Sequence, residues 1–237
     1  MANMQVWLNA IDGKKRLPPR TIDVYSKIKS LGLETVIWEE LLEVKNSIGK
    51  INSFLEKYQP CLFIYDPISP DVKKGYLFNQ RDITQIEKWI SENSTEKFSY
   101  ILTSMIDVKD RGFVGSIFSD GNGNLFCETA HTGDSNHRTL SQSSFVNSKN
   151  ICRFTAENFD VRSLKGNHLT YEEIRNIIDL YSYKNGFFDF VYGEQAGKWG
   201  IYTTGIENSS FPYNVKKDEE KDIGSLILAK FMISGFE

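Results

Sequence analysis

Apolar residues in the first half of the chain alternate between continuous runs and helical stripes. Continuous apolar runs are typical of buried strands, whereas apolar residues three or four positions apart are typical of amphipathic helices. The runs lie at residues 5–11, 34–38, 61–65 and 100–106. The helical stripes lie at residues 21–31, 42–55 and 83–90. This alternation of strands and helices predicts an α/β arrangement.

The second half of the chain carries signals for two β-hairpins. Residues 113–118 and 124–129 are strand candidates, and the sequence SDGNG between them favours a tight turn because Gly and Asn accept positive φ. Residues 187–192 and 199–203 are a second pair of strand candidates, joined by residues 193–198. We therefore expect the second half to be dominated by antiparallel pairs.

Helix-end signals support several of these assignments. Thr170 and Glu173 have the spacing of a capping box, and Asp82 and Gln85 resemble one. Gly32 stands where a helix C-cap is expected. The remaining predicted segments are a polar loop and an apolar terminal helix, at residues 134–150 and 223–233.

Composition narrows the class of protein without naming an activity. The 237 residues allow one large domain or two small ones. With 40% hydrophobic and 25% charged residues, the chain is ordinary for a globular protein, and wholesale disorder is excluded. The formal charge of −3 and the pI near 5.8 argue against a nucleic-acid partner bound through bulk charge.

Compartment signals point to the cytoplasm. The sequence contains no apolar stretch of the roughly 18 residues that span a bilayer, so no membrane partner is expected. Its first ten residues lack the basic start and the small-residue cleavage site of a signal peptide. The three cysteines, Cys61, Cys127 and Cys152, are too few for a disulfide framework, and we expect reduced thiols.

The order of elements from Cys61 onward resembles the ATP-grasp fold. The sequences LFIYD and KKGYLF are similar to the strand, phosphate loop and short strand of the family's first lobe. The passage LTYEEIRNIIDLYSYKNGFFDFVYGEQAGKWGIYTTG resembles the nucleotide-binding domain of phosphoenolpyruvate synthases and pyruvate phosphate dikinases. The resemblance implies an α/β (α+β) class, with two lobes that hold a nucleotide between them.

The resemblance also implies a division of the chain. Residues 1–60 would form an N-terminal α/β segment, and residues 61–237 an ATP-grasp-like region. Within that region, residues 61–107 would form the first lobe and residues 108–237 the second.

In the family, a metal site lies on the closing hairpin, and ATP and Mg²⁺ are the implied cofactors. Asp189, Glu207 and Asn208 match the family's metal-ligand pattern, and Mg²⁺ prefers such oxygen ligands. In a strict strand register, Gly205 would instead stand opposite Asp189, where the family keeps an acid. The alternative is that Asp189 is a solvent-facing strand residue and that the segment beginning at Glu207 is a turn.

The resemblance assigns further residues to the nucleotide. Lys73 and Lys74 precede Gly75 in the loop that would hold phosphate oxygens; the alternative, which the two prolines and the aspartate of this loop favour, is an exposed basic loop. Arg111 is the candidate catalytic residue because a guanidinium can clamp phosphate; the alternative is a salt bridge to Asp107 or Asp110.

Two more positions belong to the same expectation. Ser104 takes the place of the acid that the family uses in the hinge beside adenine and ribose. Glu128 ends a strand where the family often has a functional carboxylate, which would bind metal or ribose; a residue that simply faces outward is the alternative.

Two functions follow from the resemblance. The first is an ATP-dependent ligase or phosphotransferase that binds Mg-ATP and an acceptor that the sequence does not identify. The second is a non-catalytic ATP-grasp-like module that acts as a binding or partner protein, because the loop before Gly75 has fewer glycines than the family's phosphate loop. Whether the chain is an enzyme, and its oligomeric state, stay open at this point.

Overall fold

The structure is a computed structural model that describes residues 20–68, 72–93, 95–108, 111–131, 151–157 and 169–207. The strand expected at residues 5–11, the loop at 134–150 and the terminal helix at 223–233 lie outside the described residues. The chain divides into two compact units. Unit 1 comprises residues 20–23 with Ile37–Met105, and unit 2 comprises Val24–Val36 with residues 106–207. The first helix, α1 (Thr21–Ser30), crosses this division in sequence.

Unit 1 contains a four-stranded sheet and two helices. The strands have the order β1-β4-β2-β3, and every neighbouring pair is antiparallel. The elements in chain order are β1 (Trp38–Leu41), α2 (Ile48–Tyr58), β2 (Cys61–Pro67), β3 (Gly75–Gln80), α3 (Thr84–Glu92) and β4 (Phe98–Ser104), with 3₁₀ turns at Val44–Asn46 and Thr95–Lys97.

Unit 1 alternates strands and helices as predicted, but its sheet topology differs from that of the predicted α/β arrangement. Helix α2 connects β1 to β2, which run parallel, but β4 lies between them. Helix α3 likewise connects β3 to β4, with β2 between them. Each crossover is therefore split by a third strand, and all adjacent strands are antiparallel. The α+β class is confirmed.

The core of unit 1 lies between one face of this sheet and helices α2 and α3. The helical stripes predicted from the sequence supply its helix side, because Ile51, Leu55, Ile86 and Ile90 are all buried. The sheet supplies the other side through alternate strand positions, which share one face. These buried sheet residues are Cys61, Phe63, Tyr100 and Leu102.

Three element boundaries in unit 1 differ from the sequence prediction. The helix expected at residues 42–55 begins only at Ile48, and the 84% exposed Leu42 lies outside it. The helix ends at Tyr58 because Gln59 is extended before Pro60. The Asp82–Gln85 capping box is wrong in its second half: Asp82 Oδ1 accepts the Thr84 N–H, but Gln85 Oε1 accepts from Gln80.

Unit 2 is built on a five-stranded antiparallel sheet of order β7-β6-β5-β8-β9. Helix α4 (Tyr171–Tyr181) buries Ile174, Ile177 and Tyr181. The Tyr181 ring lies 5.2 Å from that of Phe188, which identifies the sheet face on which α4 packs. The strands in chain order are β5 (Phe113–Ser119), β6 (Leu125–His131), β7 (Ile151–Thr155), β8 (Gly186–Gln195) and β9 (Lys198–Glu207).

Local sequence signals explain the turns and the cap of unit 2. In the predicted β5–β6 hairpin, Gly121 and Gly123 have φ of 77° and 97°, and Asp120 Oδ1 accepts the Asn122 N–H. In the predicted capping box, Thr170 Oγ1 accepts the Glu173 N–H and Glu173 Oε2 accepts the Thr170 N–H. Both predictions are confirmed.

The strand predicted at residues 34–38 is wrong in position. Strand β1 starts only at Trp38, whereas Thr35 forms an isolated parallel bridge to Thr203 of β9 in unit 2. The Thr35 hydroxyl donates to the Thr203 carbonyl at 2.8 Å, and the Thr203 N–H donates to the Glu34 carbonyl. Residues 34 and 35 therefore bond to β9, which is distant in sequence, and do not belong to β1. Across the described residues, no helix is long and apolar enough to cross a membrane.

Candidate functional site

A row of cross-strand neighbours crosses the middle of the unit 2 sheet. Ser116 of β5 pairs with Asp189 of β8, and Asp189 pairs with Gly205 of β9. On its other side, Ser116 pairs with position 128 of β6, which is a glutamate. Two acidic positions therefore stand in one row with a serine between them. The strict register, with Gly205 opposite Asp189, is the one that the structure adopts.

The row belongs to the sheet face that α4 does not cover. Successive strand residues point to opposite faces, so Ser116 and Asp189 face away from their neighbours Ile117 and Phe188. Those neighbours are fully buried in the core under α4. Asp189 is only half-buried. The Asp189 face of the sheet is therefore the less buried of the two.

The Asp189 carboxylate has a defined orientation. The Ser116 hydroxyl donates to Asp189 Oδ1 at 2.5 Å, and Ser116 is 3% exposed. A hydrogen bond to an ionised carboxylate is shorter and stronger than one between neutral groups. Ser116 was not singled out from the sequence, because a serine within an apolar strand gives no local sign of the partner across the sheet.

The Asp189 side chain lies close to Gly205 on the neighbouring strand. A Cβ at this position would lie 3.1 Å from Asp189 Oδ2 and 3.3 Å from Asp189 Cβ. Gly205 has a φ outside the left-handed region, so the backbone conformation does not require glycine here. A side chain at position 205 would therefore crowd the Asp189 side chain, whereas the backbone conformation would tolerate it.

The other predicted metal ligands are placed only in part. Glu207 pairs with Phe187, two positions from Asp189, so its backbone position is a diagonal neighbour of Asp189. Asn208 lies outside the described residues. No group of three or more His, Cys, Asp or Glu side chains suited to a metal occurs in the part of the chain that the structure describes. The metal set stays a prediction.

Lys74, predicted to hold phosphate, is engaged inside unit 1. Its Nζ lies 2.9 Å from Asp66 Oδ1 and donates to Thr21 Oγ1 at 2.6 Å. Asp66 is 1% exposed and also accepts the Thr21 N–H at 2.7 Å, at the first residue of α1. Lys73, the other predicted phosphate ligand, is exposed.

Ser104 forms part of the unit 1 sheet. It ends β4 opposite Cys61 and is 3% exposed. Its N–H donates to the Ile37 carbonyl at 2.9 Å. A role beside a nucleotide, which the resemblance implied, stays a prediction.

Arg111 lies against an aromatic stack in unit 2. Its guanidinium carbon lies 5.7 Å from the centroid of the Trp199 ring, within cation–π range. Trp199 contacts Tyr192, whose ring stacks on Phe113 at 4.8 Å. Burial raises the pKa of Tyr192, and the nearby Arg111 charge acts in the opposite direction. Asp110, one predicted salt-bridge partner, lies outside the described residues.

The stack does not share a sheet face with Asp189. Tyr192 and Phe190 alternate with Asp189 along β8, and the Phe113 ring contacts Phe190 edge-to-face on the α4 side. Within unit 2, the structure therefore places Asp189 and position 128 in one row and Arg111 on the opposite face.

The chain matches no protein-family model and no curated protein sequence. Solved structures similar to it include ACD1 from Ca. Korarchaeum cryptofilum in complex with coenzyme A. That likeness has a TM-score of 0.49 and 12% identity, and it covers 84% of this chain and 96% of that one. A RimK domain protein ATP-grasp from Sphaerobacter thermophilus has a TM-score of 0.41 and 10% identity, over 89% and 64% of the two chains.

A third similar structure is N5-carboxyaminoimidazole synthetase from Staphylococcus aureus complexed with ADP. Its TM-score is 0.37 and its identity 16%, over 80% of this chain and 43% of that one. The chain thus spans less than half of this relative's length. At these identities and TM-scores we transfer no residue role from any of the three. The chain is similar to proteins of the ATP-grasp fold, the resemblance that its order of elements predicts.

Proposed function

We propose that the chain binds Mg-ATP and is an ATP-dependent ligase or phosphotransferase. The observation that carries this proposal is the Asp189 carboxylate, held by Ser116 on the less buried face of the unit 2 sheet and facing a glycine. The order of elements and the closing hairpin resemble those of ATP-grasp proteins, which gives the proposal its reaction class. The acceptor substrate is unidentified.

The residues present suit a magnesium ion. Mg²⁺ takes oxygen ligands and is often held by one or two carboxylates together with substrate phosphates. Asp189 supplies one carboxylate, and the diagonal position of Glu207 and the row position of Glu128 offer two more acids. Bound Mg²⁺ would offset phosphate charge and orient the transferred group.

Different residues of the chain would bind the cation, the ribose and the phosphates. Asp189, with Glu207 and Asn208, would hold the cation, and Glu128 would add a carboxylate for the cation or the ribose. Lys73 is exposed and available to phosphate oxygens, whereas the Arg111 guanidinium is exposed on the sheet face opposite Asp189, so its predicted contact with phosphate is not supported by this arrangement. Lys74 would have to leave Asp66 before it could bind phosphate.

One observation favours a second candidate function, a non-catalytic binding module. Lys74, one of the two lysines of the predicted phosphate loop, already forms an ion pair with the buried Asp66, and it also donates to Thr21. A lysine committed to a structural role is what a chain that has lost phosphate binding would show. This candidate predicts a folded protein that Mg-ATP does not stabilise.

Ligand-dependent thermal unfolding separates the two candidates. With Mg-ATP at about 100 times its dissociation constant, the wild type should gain roughly 2.7 kcal/mol of unfolding free energy. Asp189→Asn should lose this gain. The matched control is Asp179→Asn, which changes an exposed aspartate of α4 in the same unit and should keep it. A wild type that millimolar Mg-ATP leaves unshifted contradicts nucleotide binding and supports the second candidate.

A further inference from the structure

One edge of the unit 1 sheet is formed by β3, which pairs only with β2 within the described part of the chain. An exposed edge strand is a template for another strand, and proteins usually protect such an edge with charged residues or proline. The six residues of β3, GYLFNQ, include neither. A bulge at Asn79, whose φ is 58°, interrupts the pairing with β2 only after Leu77. The edge that begins at Gly75 is therefore open to a further strand.

Two aromatic side chains are exposed on this strand. Tyr76 is 42% exposed and Phe78 is 63% exposed, and their rings lie 5.7 Å apart. Leu77, which stands between them, packs against the core of the unit. Because successive strand residues point to opposite faces, the two rings lie on the face away from that core. A contiguous exposed apolar patch is a common mark of an interaction site, whereas scattered apolar residues are not.

The charge at both ends of β3 is positive. Lys73 precedes the strand and Arg81 follows it, and both side chains are exposed. Neither side chain forms a hydrogen bond or an ion pair with the residues that the structure describes. Asp82, next to Arg81, instead accepts the Thr84 N–H at the start of α3. A strand that lies along β3 would therefore meet an uncompensated cation at each end, which favours acidic groups at those positions.

We propose that β3 binds an extended acidic peptide of a partner protein by strand addition. The peptide backbone pairs with the open edge, its alternate apolar side chains cover Tyr76 and Phe78, and its acidic ends face Lys73 and Arg81. This interaction is independent of the proposed nucleotide binding, since no residue of β3 is a predicted nucleotide ligand.

The same features disfavour two other occupants. A second copy of β3 in antiparallel pairing would bring the Lys73 end of one strand beside the Arg81 end of the other, and like charges across a sheet are destabilising. A single-stranded nucleic acid would use the aromatic and basic groups but would leave the backbone edge without a partner. An acidic peptide satisfies the edge, the aromatic pair and the charges together.

Fluorescence anisotropy with designed peptides tests the inference on the full chain. The probe is a labelled peptide of alternating valine and threonine with two glutamates at each end, and its counterpart carries lysines in place of the glutamates. Nucleotide is left out, because Lys73 also belongs to the predicted phosphate loop. The wild type should bind the glutamate peptide about tenfold or more tightly than the lysine peptide. This preference should shrink as the salt concentration is raised.

Two pairs of substitutions at exposed positions locate the site. Phe78→Thr keeps a strand-forming residue but removes the ring, and it should weaken binding of the glutamate peptide about fivefold or more. Its control, Tyr183→Thr, removes a 79% exposed tyrosine of unit 2 and should leave binding unchanged. Arg81→Gln should weaken binding about threefold. Its control, Lys88→Gln, removes an exposed cation of α3 and should have no effect.

Amide hydrogen exchange identifies the mode of binding. Strand addition gives the backbone of β3 new hydrogen bonds, so the glutamate peptide should slow exchange within Gly75–Gln80. The inference is wrong if the wild type binds the two peptides equally or not at all, if Phe78→Thr binds as tightly as Tyr183→Thr, or if bound peptide leaves exchange in β3 unchanged. A labelled oligothymidylate that binds more tightly than the glutamate peptide, and loses affinity in Phe78→Thr, would overturn it in favour of a nucleic-acid surface.

Discussion

A single buried carboxylate organises the start of α1 in unit 1. Asp66 accepts hydrogen bonds from the Thr21 N–H and hydroxyl and forms an ion pair with Lys74. The first N–H groups of a helix have no partner within the helix, so Asp66 serves as a cap supplied from another element. Lys74 balances the charge that this buried cap brings into the unit.

We predict that Asp66→Ala destabilises the protein strongly. The substitution leaves the Thr21 N–H without its acceptor and the Lys74 ammonium without its counter-ion, so we expect a loss of about 3 kcal/mol of unfolding free energy. Lys74→Met should cost about 1–2 kcal/mol, because Asp66 keeps both hydrogen bonds from Thr21. Urea denaturation measures both losses.

The neighbouring lysine provides the control for Lys74. Lys73 is exposed, so Lys73→Met should change the unfolding free energy by less than about 0.5 kcal/mol. Equal small effects from both lysine substitutions would contradict a structural role for Lys74.

The sequence alone does not distinguish the roles of Lys73 and Lys74. Both stand before Gly75 in a loop that looks uniformly basic. What separates them is the burial of Asp66 and the approach of Thr21, which lies 53 residues from Lys74. Asp189 is a candidate because it matches the metal-ligand pattern of the family that the chain resembles, on a strand that local signals predict. Its partner Ser116, 73 residues away, has no such signal.

Buried thiols give the protein a predicted weakness at high pH. Burial raises the pKa of Cys61 to about 12 and that of Cys152 to about 11, whereas an unfolded cysteine titrates near 8.5. Between these values the unfolded chain loses thiol protons that the folded chain keeps, so alkaline pH favours unfolding. Each thiol should lower the unfolding free energy by at most about 1.4 kcal/mol per pH unit above about 8.5.

Urea denaturation at pH 7.5, 9 and 10 tests this sign. The unfolding free energy of the wild type should fall over the series, and Cys152→Ala should fall less steeply because one titrating group is gone. Burial also raises the pKa of Tyr100 to about 12, which adds to the decline only at the upper end. A wild type and variant with the same slope would refute a contribution from Cys152.

At the scale of elements, the β8–β9 hairpin contains a strained position. Its two turn residues, Ala196 and Gly197, have φ of 49° and 81°, as a type I′ turn requires. The left-handed region costs an L-residue such as alanine about 1–2 kcal/mol, whereas asparagine tolerates it. The turn is tight because it joins two ten-residue strands directly.

We therefore predict that Ala196→Asn stabilises the protein. The gain should be about 0.5–1 kcal/mol of unfolding free energy, read from a thermal or urea transition. Gly197→Ala should lower stability by about 1 kcal/mol for the same conformational reason. As a control, Ala156→Asn changes an alanine outside the left-handed region and should give no gain. Equal gains at the two alanines would rule out relief of backbone strain.

The elements that the sequence predicted are those with local causes. Helix α4 follows from a capping box and an apolar stripe, and the β5–β6 hairpin follows from its Gly-Asn turn. Strand β7 was missed because its five residues follow a polar segment and gain their hydrogen bonds only from β6. The extent of β8 and β9 was underestimated, since the residues around their turn are polar and resemble a loop.

At the scale of the whole molecule, each unit has a hydrophobic core of its own. In unit 1, the core forms around Phe63 of β2, whose ring stacks on Tyr100 of β4 at 5.7 Å. In unit 2, it forms around Phe188 of β8, against Tyr181 of α4. Both phenylalanines are fully buried, and both strands have a paired strand on each side.

Two matched substitutions should therefore loosen different parts of the chain. Phe63→Leu and Phe188→Leu each remove part of a buried ring and should cost about 1–2 kcal/mol. Amide hydrogen exchange reads out the location, since local opening exposes the strands whose packing is weakened. Phe63→Leu should speed exchange chiefly in β2 and β4, and Phe188→Leu chiefly in β5 and β8. If either substitution speeds exchange equally in both sheets, the two cores unfold as one cooperative body rather than as the separate units that their packing indicates.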